Sequence, residues 1–497
     1  MITDNTPKAI DQRSAGVLLH PTSLPSGDLG SDAYRFVDFL TECKFSYWQM
    51  LPLGQPSHGL SPYQCLSVHA GNTALISPEM LVKSGWIESI PTKNNFPDRT
   101  IALRQAWNSV DQNSAKDAQD KLSRFEQLHA HWIKDYALFL ALKAEHNDAP
   151  WWEWPEPLRD RNPEAIRQAE SGLEAEIRFH SFGQFIFLSQ WQALRQYANV
   201  KGIRLFGDTP IFIAENSADA WTHRNYFLLN EQGRPSVVAG VPPDYFSSTG
   251  QRWGNPLYNW EAIQADGFSW WIEQLETQFD RFDLLRIDHF RSFQAYWEIS
   301  AASQTAETGR GVEAPGEALF EALDTHFNPL PIVVEDLGTI TEEVTALRDQ
   351  FELPGMKILQ FAFDGNPDNP YLPDNIGMEF VVYTGTHDND TTVGWYDDLP
   401  DDAKERVGGY TNPAETRMPW GLIELALSSN AKLAILPMQD LLELGSEARM
   451  NLPGSLNQHN WAWQVGWHQI PEHLAERLSS LLQACNREYT NAQHPCR

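Results

Sequence analysis

Two stretches decide the fold: Leu284-Leu-Arg-Ile-Asp-His-Phe-Arg291 and Pro331-Ile-Val-Val-Glu-Asp336. Each is a short run of apolar β-formers that stops abruptly at acidic residues. A near-continuous apolar run of this length reads as a parallel strand covered on both faces. Carboxylates at the end of such a strand are costly to bury unless they are paired or used. Working outward, the same construction recurs at 16–19, 47–53 and 203–206 on one side, and at 356–361, 379–383 and 433–437 on the other. Helical patterns lie between, as at 31–43, where Asp32 is followed by Phe36, Phe39 and Leu40. Thr339-x-x-Glu342 has the form of a capping box opening another helix through Leu347. Eight strand–helix alternations predict an α/β protein, a (β/α)8 TIM barrel. A doubly wound open sheet is the competing layout, and strand counting does not separate the two.

The repeats are unequal. Long insertions are expected after strands 2, 3 and 7, forming subdomains around the active-site face. Residues 55–201 read as a helical insertion, with helical stretches at 123–142 and 182–197, and residues 211–282 as an insertion carrying an active-site loop. The whole chain, 1–497, reads as a single catalytic barrel. Its formal charge of −29 repels phosphate backbones and anionic surfaces, so neither nucleic acid nor membrane is expected as a partner. A neutral sugar chain meets no such barrier. Residues 1–15 are polar, and Cys43, Cys65, Cys485 and Cys496 have no metal-type spacing. Both features suit a cytoplasmic protein. Tryptophan is frequent, at 19 residues, enough for a minority to stack on sugar rings while most pack the core.

The chemistry sits where the strands end. Asp208 follows the third, Asp288-His289 the fourth, Glu335-Asp336 the fifth and His387-Asp388 the seventh. Taken singly, each has a structural reading: Asp288 pairs with Arg286, Asp336 caps a helix, His387 sits satisfied in the core. Converging on one rim, they suit glycoside chemistry, in which two carboxyl groups flank the reacting bond. Retention of configuration requires Asp288 and Glu335 roughly 5–5.5 Å apart. A buried Glu335 beside anionic aspartates is expected to hold its proton unusually well. There is no phosphate loop and no HExxH motif. Asp388-Asn389-Asp390 begins like a calcium loop but has Val393 where glycine is needed and Leu399 where the closing Glu belongs, so no metal is expected.

The chain resembles the amylomaltases, 4-α-glucanotransferases of the α-amylase clan. The matching segments include Gly16-Val-Leu-Leu-His-Pro-Thr-Ser-Leu-Pro25, Ser61-Pro-Tyr-Gln64, Gly207-Asp-Thr-Pro-Ile-Phe212, Gly240-Val-Pro-Pro-Asp-Tyr-Phe246, Gly250-Gln-Arg-Trp-Gly-Asn-Pro256, Arg286-Ile-Asp-His-Phe-Arg291, Val334-Glu-Asp-Leu-Gly338, Tyr383-Thr-Gly-Thr-His-Asp-Asn-Asp390 and Asn451-Leu-Pro-Gly454. The resemblance implies retaining transfer of α-1,4-glucan segments between malto-oligosaccharides through a covalent glycosyl-enzyme, with no cofactor. It implies Asp288 as nucleophile, Glu335 as acid/base and Asp388, with His387, as the grip on the reacting glucose. Arg286 would orient the nucleophile, with Asp208 a further acidic group near the site. Tyr63 would form a platform under the sugar, Trp253 an acceptor-side stack, Tyr245 and Phe246 a loop over the cleft, and Asn460 another sugar contact. Two rivals remain: hydrolysis by the same carboxylates, and a non-catalytic glucan-binding protein, which would be expected to lack Asp288 or Glu335.

Overall fold

The computed structural model describes residues 10–489 except 58, 94–95, 113–115, 244–246, 412–415 and 456. Eight strands share one parallel sheet: β1 (Ser14–Leu18), β2 (Tyr47–Gln49), β3 (Arg204–Thr209), β4 (Leu284–Ile287), β5 (Ile332–Val334), β6 (Gly355–Ile358), β7 (Phe380–Tyr383) and β8 (Leu433–Pro437). Their spatial order is β5-β4-β3-β2-β1-β8-β7-β6. The two ends of that order meet: Val334 N–H donates to the Pro354 carbonyl at 2.8 Å, and Met356 N–H donates to Asp336 Oδ1 at 2.7 Å. The sheet is therefore a nearly closed (β/α)8 barrel, and the open-sheet alternative is excluded.

Side chains alternate along every strand. Leu18, Tyr47, Phe206, Leu284, Val333, Val381, Tyr383, Leu433 and Ile435 pack together in the barrel interior. Their neighbours Val17, Trp48, Leu205, Leu285, Ile332, Val334, Val382 and Ala434 pack into the larger core that includes the surrounding helices. Both sets are buried, which is why these strands read as continuous apolar runs. All eight predicted runs contain a strand, with shifted ends. Strand β2 stops at Gln49, and residues 359–361 form a 3-10 turn. Strand β3 runs on to Thr209, so Asp208 lies inside the strand rather than after it.

The segment between β2 and β3 is mainly helical and ends in a 27-residue helix, Glu174–Val200. The expected helical stretch at 123–142 is two helices, Lys116–Leu128 and Ile133–Glu145. Between them the chain leaves helical geometry at Trp132, whose buried ring stacks on His69. The helix after β5 runs Glu342–Gln350 with Thr341 at its N-cap position, so Thr339 does not start it. A four-stranded antiparallel sheet joins Gly309–Glu313, Ala295–Ser300, Val237–Val241 and Gln251–Pro256, in that order. Its first two strands come from an insertion after β4 that the hydrophobic pattern does not reveal. Gly309–Glu313 is a polar, largely exposed edge strand without an apolar run. No helix among the described residues is long and apolar enough to cross a membrane.

Candidate active site

Strand parity selects which acids face the lumen. Phe206 points inward, so Asp208, two residues on, does too; Leu284 leads in the same way to Arg286 and then Asp288. Val333 points inward and Val334 outward, which turns Glu335 toward the lumen and Asp336 away from it. Asp336 accordingly meets Arg348 Nη1 at 2.6 Å and the Met356 amide, outside the barrel. Gly207 lets β3 pass close to Phe282, since a Cβ there would overlap the ring.

Register then sets the levels. Asp208 is the direct cross-strand partner of Arg286. The guanidinium lies between two carboxylates, 2.6 Å from Asp208 Oδ2 and 2.8 Å from Asp288 Oδ1. Burial pulls Arg286 down, but Asp208 and Asp288 outweigh it and hold the guanidinium firmly charged. Asp208 is fully enclosed; burial pushes its carboxyl up, against the opposing pull of Arg286 and the Tyr63 hydroxyl. Tyr63 Oη donates to Asp208 Oδ2 at 2.8 Å and lies 3.0 Å from His387 Nε2.

Glu335 sits one strand away from Asp288. Its Oε2 accepts from the His289 amide at 2.8 Å and its Oε1 from the Leu337 amide at 2.9 Å. His289, which makes the first of these bonds, has a left-handed backbone, with φ 53°, a conformation uncommon outside glycine and often found at functional sites. Burial, followed by the negative charge of Asp288, raises Glu335 to about 8. At neutral pH Glu335 is thus a proton carrier beside Asp288, whose side chain is 28% exposed to the cleft.

The third acidic position closes the ring. Asp388 Oδ1 accepts from Asn451 Nδ2 at 2.6 Å, and its Oδ2 is 3.5 Å from His387 Nε2. Burial lowers His387, which keeps the imidazole neutral, with Asp388 opposing. Tyr63, His387 and Trp461 have ring centroids 5.4–5.8 Å apart. Trp253 stands edge-on to His289 at 4.8 Å. The Asn460 amide is engaged within its own loop, accepting from Leu452 N–H at 3.1 Å and donating to the Ser455 carbonyl at 3.0 Å. Tyr245 and Phe246 lie outside the described residues.

Sequence reasoning did not single out Asn451, Trp461 or His20. His20 is buried and lines a recess beside His387. Asn451 and His20 carried a signal, since each lies in one of the matching segments; Trp461 was one of 19 tryptophans. Among the described residues no group of three or more His, Cys, Asp or Glu is arranged to hold a metal ion.

A family model described as 4-alpha-glucanotransferase matches residues 18–469. A 4-alpha-glucanotransferase of Thermus thermophilus is 48% identical, covering 96% of this chain and 99% of its own. A chloroplastic/amyloplastic 4-alpha-glucanotransferase of Solanum tuberosum is 43% identical, covering 92% of this chain and 82% of its own. Among solved structures, amylomaltase from Streptococcus agalactiae in complex with acarbose superposes with a TM-score of 0.91 at 34% identity, covering 96% of this chain and 100% of that one.

Proposed function

The chain belongs to the 4-alpha-glucanotransferase family, and from that premise we propose how its rim divides the work of moving an α-1,4-glucan segment between chains. It is a glycosyl-transferring enzyme of the amylase clan. Asp288 is the nucleophile: one oxygen is fixed by Arg286, and the carboxylate attacks C1 of the donor. As the C1–O4 bond breaks, Glu335 gives its proton to the departing oxygen. The product is an ester of Asp288 with C1 of the donor's glucan segment, and Asp288 no longer carries a charge. With that charge gone, one cause of the raised Glu335 pKa disappears and the newly formed carboxylate is at ease. Glu335 then takes the proton from the 4-OH of an acceptor, which attacks C1 and frees Asp288.

The remaining residues position the sugar. Asp388 and His387 hold hydroxyls of the reacting glucose, Tyr63 lies under its ring, and Asp208 keeps Arg286 and Tyr63 in place. Trp253 stacks on the acceptor side, and Asn460 shapes the loop that carries Trp461. Residues 55–201 and 211–282 act as subdomains of one catalytic unit, and the 240–254 loop, with Tyr245 and Phe246, screens the ester from water. A cytoplasmic setting suits Cys43, Cys65 and Cys485, all unpaired.

The observation that carries this reading is an enclosed Glu335 carboxyl, held by the His289 and Leu337 amides, beside an arginine-paired Asp288 on the adjacent strand. Maltotriose is the test. The wild type should produce glucose and a ladder of longer glucans with little gain in reducing ends. Glu335→Gln should fail on maltotriose yet accept a glycosyl fluoride, whose leaving group needs little protonation. Reducing ends that rise as fast as maltotriose is consumed would make the enzyme a hydrolase.

A further inference from the structure

Beside the rim lies a cleft of about 330 Å³, within the usual range for ligand sites. Trp253 and Trp152 are two of its walls, and Gln64, Glu215, Asn216 and Arg234 supply much of its polar lining. Trp48, Trp151, Trp191, Trp221, Trp270 and Trp271 are fully buried, whereas Trp152 and Trp253 are only partly covered. The Trp152 ring is held from two sides. Arg234 lies 4.4 Å over it and is itself anchored by Glu215 at 3.2 Å. The adjoining Trp151 is fixed in the core, its indole N–H donating to the Glu215 carbonyl at 2.9 Å.

The cleft adjoins the chemistry through Trp253, which leans on His289, whose amide donates to Glu335. That wall stands on the side of the proton donor, and the chain that Glu335 protonates or deprotonates is the one that leaves or arrives.

We infer that this cleft is a remote acceptor-side subsite, in which Trp152, oriented by Arg234 and Glu215, stacks on α-1,4-linked glucose units beyond those that touch Glu335. The inference rests on the transfer reading above. An indole face suits the apolar face of a sugar ring, and the surrounding carboxylate, amide and guanidinium groups offer both donors and acceptors to its hydroxyls. Trp152 then sets the preference for acceptor length, because only an acceptor long enough to reach it gains the stacking contact.

The test uses α-maltosyl fluoride as donor and glucose, maltose and longer malto-oligosaccharides up to maltoheptaose as acceptors. For the wild type, acceptor KM should fall as the acceptor lengthens. In Trp152→Ala the ratio of the glucose KM to the maltoheptaose KM should shrink about fivefold, the size expected for loss of one aromatic stack. Trp152→Phe should restore most of it. An unchanged ratio in Trp152→Ala overturns the inference, as does a parallel shift for every acceptor. Arg234→Leu supplies the same reading if Trp152→Ala does not fold. Calorimetric binding of maltoheptaose to Glu335→Gln, with and without Trp152→Ala, needs no turnover. A wild type that hydrolyses would therefore sink the transfer reading and leave this test standing.

Discussion

At the scale of single residues, Glu335 governs the response to pH. It starts the reaction only while protonated, so kcat/KM should decline as pH rises through about 8. The same shift has a consequence for stability. The folded pKa lies above the ordinary 4.5, so the proton-bound form contributes stability that is intact below 4.5 and lost as pH rises toward 8. Glutamine has the same shape and no proton to lose. Unfolding measured between pH 5 and 8 should therefore show Glu335→Gln gaining on the wild type by up to about 1.4 kcal/mol per pH unit. A pH-independent difference would mean that burial and Asp288 do not raise Glu335. These carboxylates were legible because acids ending apolar runs are conspicuous. Which of Glu335 and Asp336 faces the lumen follows from the parity of Val333, once the inward side of that strand is known. Trp461 was not legible, because it reaches the site only when distant segments meet.

At the scale of elements, the outward Asp336 ties β5 to the helix that follows it. Arg348, on Glu342–Gln350, bonds Asp336 at 2.6 Å and both are buried. Removing one partner of such a pair strands a charge away from water. Arg348→Ala should cost about 3–5 kcal/mol in urea unfolding, and the double change Asp336→Asn with Arg348→Met should recover much of it. The barrel strands were readable from sequence because both of their faces are buried. The antiparallel sheet was not: Gly309–Glu313 is exposed and polar, and it is held by backbone pairing to Ala295–Ser300, which leaves little imprint on composition. The break before Ile133 was hidden for a different reason. Apolar periodicity continues across it, and only the inward turn of Trp132 against His69 divides one predicted stretch into two helices.

At the scale of the whole molecule, the ring of strands gives two unlike ends. The carboxylates occupy the end where the strands finish. The other end gathers the extremities of the described chain. Arg13, just before β1, donates to the carbonyls of Leu427, Ser429 and Ala431. Arg487 donates to the same three carbonyls and to that of Ser14. Asp11 and Tyr489 line one shallow recess there, together with Arg204 at the start of β3. Two segments far apart in sequence are thus lashed to one turn on the face opposite the cleft. Nothing in the residue pattern signals this, since isolated arginines near both ends read as surface charge. An enzyme coupled to a solid bead through residues 11 and 489 would stand with its mouth toward the liquid. Long amylose should reach it almost as readily as it reaches the free enzyme, whereas coupling through scattered surface lysines should slow long chains more than maltotriose. The comparison of those two immobilised forms turns an arrangement of buried carbonyls into a handle for orienting the catalyst.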